Sequence, residues 1–313
     1  MTTDLAIAAD LDVAGTLRAR PLLICPAFRK MPAPLIVVGM HRSGTSLVAG
    51  MLSLLGTYMD PAFTSSVRDA CLSAPGAAAR RNGYGEAVAF RLVNEQIIHG
   101  TGATWKKVTP FLARREDPLF AYRSLVQMQF ATFTRLNRGY LKQRPVKGAN
   151  IWGWKDPRNS LTLPYWLRLF PDARILHVRR HPEAVANSLE RREKAQRSAV
   201  PRPLPLPSRL LHAAAHPGAA ARSIERRLRR LPPPAPTAEE SRRQQDWISL
   251  STQYVEQCLN FRYNPGGYLE IWYEDILKDP IRASSRLADF ARVEAPLATV
   301  LRTAEFVIVD GRQ

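Results

Sequence analysis

The sequence has few cysteines, a shortage of acidic residues and no long apolar run. The three cysteines (Cys25, Cys71 and Cys258) are few, and an odd number cannot all pair, so a disulfide framework is not expected. We therefore expect a reducing compartment, the cytoplasm. No apolar stretch reaches the roughly 18–20 residues of a membrane span. Acidic residues such as Asp4 and Asp10 stand where a secretory signal would be basic and then apolar, so no export signal is expected.

What the sequence does have is apolar residues and positive charge. Hydrophobic residues make up 45% of the 313 positions, enough for a substantial core. The 45 Lys and Arg outnumber the 27 Asp and Glu, which gives a formal net charge of +18. A chain this basic is expected to bind anionic partners, such as phosphates, sulfates or nucleic acid.

Much of this charge lies in a proline-rich stretch at about 190–243. Prolines stand at 201, 203, 205 and 207 and in a run at 232–234, and proline at this density breaks helices and strands. We therefore predict a single domain over 31–313 that carries this stretch as an insertion, preceded by an N-terminal extension over 1–30. Met31 is an alternative start. The insertion is open to two interpretations, a solvated excursion or a functional lid.

Outside the insertion, apolar patches that indicate buried strands alternate with helical patterns. The predicted strands are Leu35–Val38, Ile151–Trp154, Arg174–Val178 and Tyr268–Trp272. The predicted helices are Ser46–Leu55, Glu86–His99, Phe120–Leu141, Pro182–Arg192 and Pro280–Arg292. Such alternation predicts an α/β fold with three layers, α/β/α, around a central parallel sheet. In such sheets ligands bind beyond the carboxyl ends of the strands, so the residues that follow each strand are the candidates for chemistry.

The loop after the first predicted strand has the pattern of a phosphate-binding loop. Its residues are Gly39, Met40, His41, Arg42, Ser43, Gly44, Thr45 and Ser46, which fit G-x-x-x-x-G-x-[ST]. Two glycines let the backbone fold around an anion, and the following helix directs its free N–H groups at it. Arg42 adds a forked cation, while Ser43, Thr45 and Ser46 add hydroxyl donors.

One departure from a nucleotidase loop is informative. Thr45 stands where the lysine that reaches the β- and γ-phosphates of a nucleoside triphosphate would be. The candidate strands also end without the acidic residue that would hold Mg²⁺, and the Cys and His residues show no metal-ligand spacing. The loop is therefore predicted to hold an anion without a metal.

A second loop follows the predicted strand Arg174–Val178. Arg179 and Arg180 end this strand, Pro182 begins a helix, and Ser188 lies eight residues after Arg180. An arginine at a strand end and a serine on the next helix can both reach one phosphate. Solvated arginines near a helix start are the ordinary alternative.

Taken together, the two loops resemble the sulfotransferases that use 3′-phosphoadenosine-5′-phosphosulfate (PAPS). PLIVVGMHRSGTSL resembles the strand, loop and helix that bind the 5′-phosphosulfate in that family, and Arg180 with Ser188 matches its 3′-phosphate pair. WGWKDPRNSLTLPYW, FPDARILHVRRHPEAVANSL and YLEIWYEDILKDP are similar to carbohydrate sulfotransferase sequence of the bacterial and Golgi type. A Gly-rich loop bearing Lys or Arg near the C-terminus, which cytosolic small-molecule sulfotransferases use on the 3′-phosphate, is missing from the pattern.

The resemblance implies a P-loop NTPase-like sulfotransferase fold, PAPS as co-substrate and no metal. It implies that a set of loop residues holds the phosphosulfate: Gly39, Arg42, Ser43, Gly44, Thr45 and Ser46. Arg180 and Ser188 would hold the 3′-phosphate. The implied acceptor is a hydroxyl or amine, on a carbohydrate or glycoconjugate in the favoured case, so glycans, glycolipids and small molecules are the candidate partners.

Sulfuryl transfer needs a cation at the leaving group and a base at the acceptor. Arg42 is the first candidate for the cation, and Lys155 is the second unless it only pairs with Asp156 or Asp275. For the base we favour Glu86, at the first turn of a predicted helix, where a capping role is the alternative. His41 is the second candidate base, although a loop histidine can simply bind backbone.

Two other functions are weighed against this one. The first is a kinase-like P-loop transferase that uses ATP, against which Thr45 argues. The second is a non-enzymatic binder of nucleic acid or anionic surfaces, suggested by the net charge and by the run Arg226–Arg230. That run lacks the interleaved aromatic residues of single-strand binders, so no specific nucleic-acid partner is expected.

Overall fold

The structure, a computed structural model, describes residues 32–59, 88–135, 151–198 and 238–310. Its strands are β1 (Leu35–Val38), β2 (Gly153–Lys155), β3 (Arg174–Arg179) and β4 (Tyr268–Trp272). Its helices are α1 (Thr45–Leu55), α2 (Val88–His99), α3 (Thr109–Arg114), α4 (Pro118–Arg135), α5 (Asn159–Leu169), α6 (Pro182–Ser198), α7 (Ala238–Leu259), α8 (Tyr273–Lys278), α9 (Pro280–Ala291) and α10 (Leu297–Asp310).

The strands form one parallel sheet in the order β2-β1-β3-β4. Leu35 at the start of β1 lies opposite Gly153 on one side and Arg174 on the other. The carboxyl ends of β1, β2 and β3 therefore meet at one edge, and the residues that follow these strands lie close together there. This arrangement positions the site described below.

Helices cover both faces of the sheet. On one face Leu35 and Val37 pack into a buried cluster with residues of α1, α8, α9 and α10. On the other face the ring of Trp154 stacks on Phe90 of α2 at 4.2 Å and meets Trp166 of α5 edge to face at 4.8 Å. Because successive side chains of a strand point to opposite faces, the two clusters lie on the two sides of the sheet. The predicted three-layer α/β/α fold is confirmed.

The predicted elements match the observed ones closely at the strands and less closely at the helices. Strands β1 and β4 have the predicted bounds, whereas the second strand lies at Gly153–Lys155 instead of Ile151–Trp154. Trp152 forms an isolated parallel bridge with Tyr58 just before it. Helix α4 ends at Arg135, and the rest of its predicted length lies outside the described residues.

Contacts divide the chain into two compact units. One comprises Met1–Arg180 with Gln253–Gln313, and the other comprises His181–Thr252. In the second unit Gln244 Nε2 donates a hydrogen bond to Asn187 Oδ1 at 3.1 Å. Helices α6 and α7 extend into the predicted insertion from its two ends, and its residues 199–237 lie outside the described residues, as does the extension over 1–30. Among the described helices, none is both long and apolar enough to cross a membrane.

Candidate functional site

The loop between β1 and α1 turns sharply at three residues that have positive φ. Gly39 has φ 144°, Arg42 has φ 70° and Gly44 has φ 97°. A Cβ atom on Gly39 would lie 2.4 Å from the carbonyl oxygen of Val178, so only glycine fits there. Gly44 precedes α1, whose N-terminus has no side-chain cap. Helix α1 thus directs its first turn and its positive dipole end at the loop, an arrangement that suits an anion.

Two successive residues of α5 hold the junction between β1 and this phosphate loop (residues 39–46). Asn159 Nδ2 donates to the carbonyl oxygen of Val37 at 3.1 Å, and the N–H of Gly39 donates to Ser160 Oγ at 2.9 Å. Both side chains are fully buried. The start of the loop is therefore fixed by side chains that lie more than a hundred residues away in the sequence.

Arg180, which follows β3, reaches the tip of the phosphate loop. Its Nη1 donates a hydrogen bond to the carbonyl oxygen of Arg42 at 3.1 Å. This contact joins the two loops that the sequence singled out. Arg180 and the backbone of Arg42 thus lie next to each other at the carboxyl edge of the sheet.

Tyr273 is a site residue that the sequence analysis missed. It directly follows β4, and its ring lies against Gly44, where a Cβ atom would come within 2.3 Å of Cδ2. The Arg180 guanidinium stacks on the same ring, with Cζ 4.4 Å from the centroid. The signal was present, since Tyr273 follows a strand and lies in the segment YLEIWYEDILKDP.

Hydrogen-bond donors remain unsatisfied at this site. Ser43 Oγ and Arg180 Nε are buried and have no hydrogen-bond partner within the described part of the chain. Buried polar atoms normally find partners, so two such atoms on adjoining loops indicate a ligand that accepts hydrogen bonds. The donor set, with Thr45 also buried, fits an anionic phosphate or sulfate group.

Lys155 ends β2, the strand next to β1 on the side away from β3. It lies opposite Val37, so its buried side chain is on the sheet face that α1 covers. The adjacent carboxylate of Asp156 accepts hydrogen bonds from Asn94 Nδ2 at 2.8 Å and Arg158 Nη1 at 2.9 Å. A buried cation and a fully buried carboxylate thus stand side by side at the edge of the sheet.

Asn94 organises the polar groups beneath Asp156. Besides Asp156 it donates to Asn159 Oδ1 at 2.8 Å, and its own Oδ1 accepts hydrogen bonds from Thr162 and Trp166 at 2.7 and 2.9 Å. Every polar group of the amide is therefore used. This network connects Asp156 with Asn159 and hence with the start of the phosphate loop.

His41 lies in the phosphate loop, and its imidazole is buried among aromatic side chains. Its ring centroid is 4.3 Å from that of Trp105 and 6.4 Å from that of Tyr254. The Tyr254 hydroxyl donates to the carbonyl oxygen of Trp105 at 2.9 Å. Trp105 is half-buried, whereas Trp152, Trp154 and Trp166 are packed in the core.

A second buried histidine lies on β3 beneath the site. His177 is fully buried, and its Nδ1 is hydrogen-bonded to the Tyr268 hydroxyl at 2.6 Å. Burial lowers the pKa of His177 to about 3, and the charge of Arg179 acts in the same direction. The imidazole is therefore neutral at physiological pH and serves as a core hydrogen-bonding group.

The contacts around the phosphate loop do not include two of the predicted site residues, Glu86 and Ser188. Glu86 lies outside the described residues, two positions before α2 begins. Ser188 is buried on α6 in the unit His181–Thr252, a different unit from that of the phosphate loop. Within the four described ranges, no group of three or more His, Cys, Asp or Glu side chains is arranged to hold a metal ion.

Comparison with solved structures finds two sulfotransferases and a retinol dehydratase among the similar chains. The sulfotransferase domain from the Synechococcus PCC 7002 olefin synthase is 17% identical with a TM-score of 0.41, over 86% of this chain and 77% of that one. Sulfotransferase STF9 from Mycobacterium avium is 17% identical with a TM-score of 0.41, over 90% and 70%. Retinol dehydratase in complex with androsterone and the inactive cofactor PAP is 16% identical with a TM-score of 0.37, over 88% and 64%.

A search of curated proteins finds no match. A sequence model of the sulfotransferase family, in contrast, matches residues 34–202, which is more than half of the 313 residues. The matched part contains β1, the phosphate loop, β2, β3 and Arg180. The chain belongs to the sulfotransferase family.

Proposed function

We propose that this sulfotransferase takes its sulfuryl group from PAPS and transfers it to a hydroxyl or amine of a carbohydrate or glycoconjugate. The observation that carries the proposal is the contact of Arg180 with the carbonyl oxygen of Arg42, beside the unsatisfied donors Ser43 Oγ and Arg180 Nε. Donors from two loops converge on one place, as an anion with several acceptor oxygens requires. The sequence resemblance names PAPS as that anion.

In this proposal the phosphate loop holds the 5′-phosphosulfate. The backbone N–H groups at the start of α1 and the hydroxyls of Ser43, Thr45 and Ser46 donate to its oxygens, and Gly39 and Gly44 allow the loop to approach closely. Arg180 lies on the β3 side of the loop and binds the 3′-phosphate. Ser188 is proposed as its second ligand, on the basis of the resemblance.

PAPS supplies an activated sulfuryl group whose S–O bond to the 5′-phosphate breaks as the bond from sulfur to the acceptor oxygen or nitrogen forms. The phosphate that leaves gains negative charge, and a positioned cation stabilises it. Arg42 at the loop tip and the buried Lys155 at the end of β2 are the proposed cations. Arg42 lies in the loop after β1 and Lys155 ends the neighbouring strand β2, so both lie at the carboxyl edge of the sheet.

The acceptor must lose a proton during transfer. Glu86 is the proposed base, with His41 as the second candidate because it lies within the phosphate loop. The base takes the proton from the acceptor hydroxyl or amine, and adenosine 3′,5′-bisphosphate leaves with the electron pair of the broken S–O bond. Transfer is thereby balanced without a metal or a further reactant.

Thermal unfolding with nucleotides tests this proposal. Adenosine 3′,5′-bisphosphate at a hundred times its Kd is expected to stabilise the folded chain by about 2.7 kcal/mol, and so to raise the Tm by several degrees without Mg²⁺. ATP, with and without Mg²⁺, is the comparison ligand in parallel unfolding experiments. A shift with ATP that depends on Mg²⁺, and none with the bisphosphate, would refute the use of PAPS and favour a kinase-like enzyme.

A further inference from the structure

A tight turn over residues 104–107 carries Trp105, Lys106 and Lys107 and lies against the phosphate loop through Trp105. The N–H of Lys107 donates to the carbonyl oxygen of Thr104 at 3.1 Å, and the N–H of Thr104 donates to the carbonyl oxygen of Lys107 at 3.0 Å. Thr104 Oγ1 also accepts from the N–H groups of Lys106 and Lys107, at 3.3 and 3.1 Å. Four hydrogen bonds therefore fix the backbone of the turn, so Trp105, Lys106 and Lys107 project from a defined frame.

This turn is anchored against the phosphate loop. The Trp105 ring lies 4.3 Å from the ring of His41 at an angle of 47°, and the buried Tyr254 donates its hydroxyl to the Trp105 carbonyl oxygen. Tyr254 itself is fully buried. The indole is therefore held within one ring contact of the loop that binds the phosphosulfate in the proposed function.

The turn and Arg180 border the phosphate loop at different residues. The Trp105 ring lies against His41, whereas Arg180 donates to the carbonyl oxygen of Arg42 and stacks on Tyr273. In the proposed function the 3′-phosphate lies on Arg180 and the phosphosulfate lies in the loop, so the turn at His41 borders the place where an acceptor reaches the sulfuryl group.

The exposed side chains of the turn have a definite chemistry. Trp105 is half-buried, while Lys106 and Lys107 are exposed. Lys106 Nζ lies 5.3 Å from the centroid of the Trp105 ring, so an aromatic face and a cation share one surface. An aromatic face suits the C–H face of a sugar ring, and ammonium groups suit a carboxylate or sulfate on it.

We propose that the Trp105–Lys107 turn binds the acceptor and selects a negatively charged saccharide, with the sugar ring on Trp105 and its carboxylate or sulfate on Lys106 and Lys107. This inference rests on the proposed function, because it takes the nucleotide side of the site from it. It adds a specificity element that the loop motifs do not contain. It also gives part of the positive charge outside the 190–243 stretch a role in substrate choice.

The test compares three oligosaccharides of equal length as acceptors with PAPS as donor: one with uronic acids, one with sulfated sugars and no uronic acid, and one neutral. The unaltered chain is expected to use at least one anionic acceptor with a kcat/KM more than about tenfold above that of the neutral one. The preferred anionic acceptor identifies the group as carboxylate or sulfate. The preference is expected to shrink as the ionic strength rises.

Variants locate the preference on the turn. Lys106→Gln with Lys107→Gln is expected to raise the KM for the anionic acceptor about 10–100-fold, while the KM for PAPS and the neutral acceptor's kcat stay within about twofold. Arg286→Gln with Arg302→Gln removes the same charge from exposed positions on α9 and α10 and is the matched control. Trp105→Ala is expected to raise the KM for all three saccharides, and Trp105→Phe to restore much of it.

The outcomes separate the two proposals. If adenosine 3′,5′-bisphosphate raises the Tm but the three saccharides are used equally, or the lysine pair changes nothing more than its control does, the turn is not the selector and the inference is overturned. The use of PAPS would then stand. If the bisphosphate gives no shift, the proposed function fails first.

Discussion

Arg180 Nη1 donates a hydrogen bond to the carbonyl oxygen of Arg42 at 3.1 Å, so the end of β3 is joined directly to the tip of the phosphate loop. The same guanidinium stacks on Tyr273, whose ring closes against Gly44. Loop tip, β3 end and the residue after β4 are thus packed as one group. Changes to any of them are expected to alter anion binding, because they alter the loop as well as the contacts to the anion.

Arg180→Ala is expected to weaken the binding of adenosine 3′,5′-bisphosphate by about 10–100-fold. The substitution removes a charged donor from the proposed 3′-phosphate site and frees the loop carbonyl that it holds. Arg180→Lys keeps the charge but loses the planar fork, so it is expected to recover only part of the affinity. Isothermal titration calorimetry measures the Kd in each case.

Arg179→Ala is the matched control for that measurement. Arg179 is the neighbouring arginine, but it pairs with Glu270 at 3.0 Å and stacks on Trp272 instead of contacting the loop. Its removal is expected to leave the Kd within about twofold, since it is part of no proposed ligand contact. Equal loss in both variants would mean that net charge alone, and not the position of Arg180, governs binding.

Gly44→Ala is expected to reduce both stability and nucleotide binding. A residue with a Cβ atom at φ 97° is strained, and its Cβ would lie 2.3 Å from the Tyr273 ring, so the ring or the loop must move. We expect a loss of about 2–5 kcal/mol in unfolding free energy, measured by chemical denaturation, and a Kd raised more than about tenfold.

Gly102→Ala separates the cost of backbone strain at positive φ from the cost of the clash with the Tyr273 ring. Gly102 has φ 75°, but a Cβ atom there would have nothing within 4 Å. The loss should therefore be about 1–2 kcal/mol from the backbone alone, with unchanged nucleotide binding. If the two glycines gave the same losses, the contact between Gly44 and Tyr273 would have no energetic weight.

The sequence predicts the sheet better than the helices, for a physical reason. Buried parallel strands are short, continuous apolar runs bounded by breaks, and all four were found within about two residues. Helix α5 was not predicted, since Pro164 lies inside it and interrupts the expected helical pattern. Helix α7 begins at Ala238, inside the segment that the prediction assigned to the insertion.

The candidate site, like the fold, could be predicted from the sequence only in part. The rule that ligands bind beyond the carboxyl ends of strands was sufficient to select Arg42, Lys155 and Arg180. The same rule would have selected Tyr273, which directly follows β4. The role of Ser160 comes from its contact with Gly39, far away in the sequence, and no local pattern encodes that contact. A buried hydroxyl that accepts a loop N–H is indistinguishable, in one sequence, from any other serine near a helix start.

Ser160→Ala is expected to weaken nucleotide binding without removing any group that touches the nucleotide. The N–H of Gly39 is buried and would lose its acceptor, at a cost of about 1–3 kcal/mol, and the start of the loop would be free to move. We expect a Kd for adenosine 3′,5′-bisphosphate raised about tenfold, and recovery in Ser160→Thr, which keeps the hydroxyl.

Ser284→Ala is the control for the loss of a buried hydroxyl. Ser284 is also fully buried near a helix start, but its hydroxyl donates to the Pro280 carbonyl oxygen within α9. Its removal is expected to change stability slightly and the Kd not at all. A raised Kd in Ser284→Ala would attribute the effect to general destabilisation instead of to the contact with Gly39.

Glu86→Gln is expected to lower kcat for sulfuryl transfer by about 10²–10⁴-fold while the Kd for the bisphosphate is unchanged. The amide cannot take the acceptor proton but keeps the size of the side chain. Single-turnover assays with labelled PAPS measure the chemical step. Full activity in this variant, with loss of activity in His41→Gln, would transfer the role of base to His41.

The buried imidazole of His177 is expected to make stability depend on pH. Its folded-state pKa is lowered to about 3, chiefly by burial, whereas the unfolded chain binds a proton near pH 6.5. The unfolded state therefore binds more protons between these values, so stability is fully present above about pH 6.5 and falls as the pH is lowered towards 3. The slope from this one group approaches about 1.4 kcal/mol per pH unit.

His177→Gln removes this titrating group. The variant is expected to be less stable than the unaltered chain at pH 7, but to lose less stability between pH 7 and pH 5 in chemical denaturation. His99→Gln, at an exposed imidazole on α2, is the matched control. If both variants changed the pH dependence equally, burial of His177 would not be its cause.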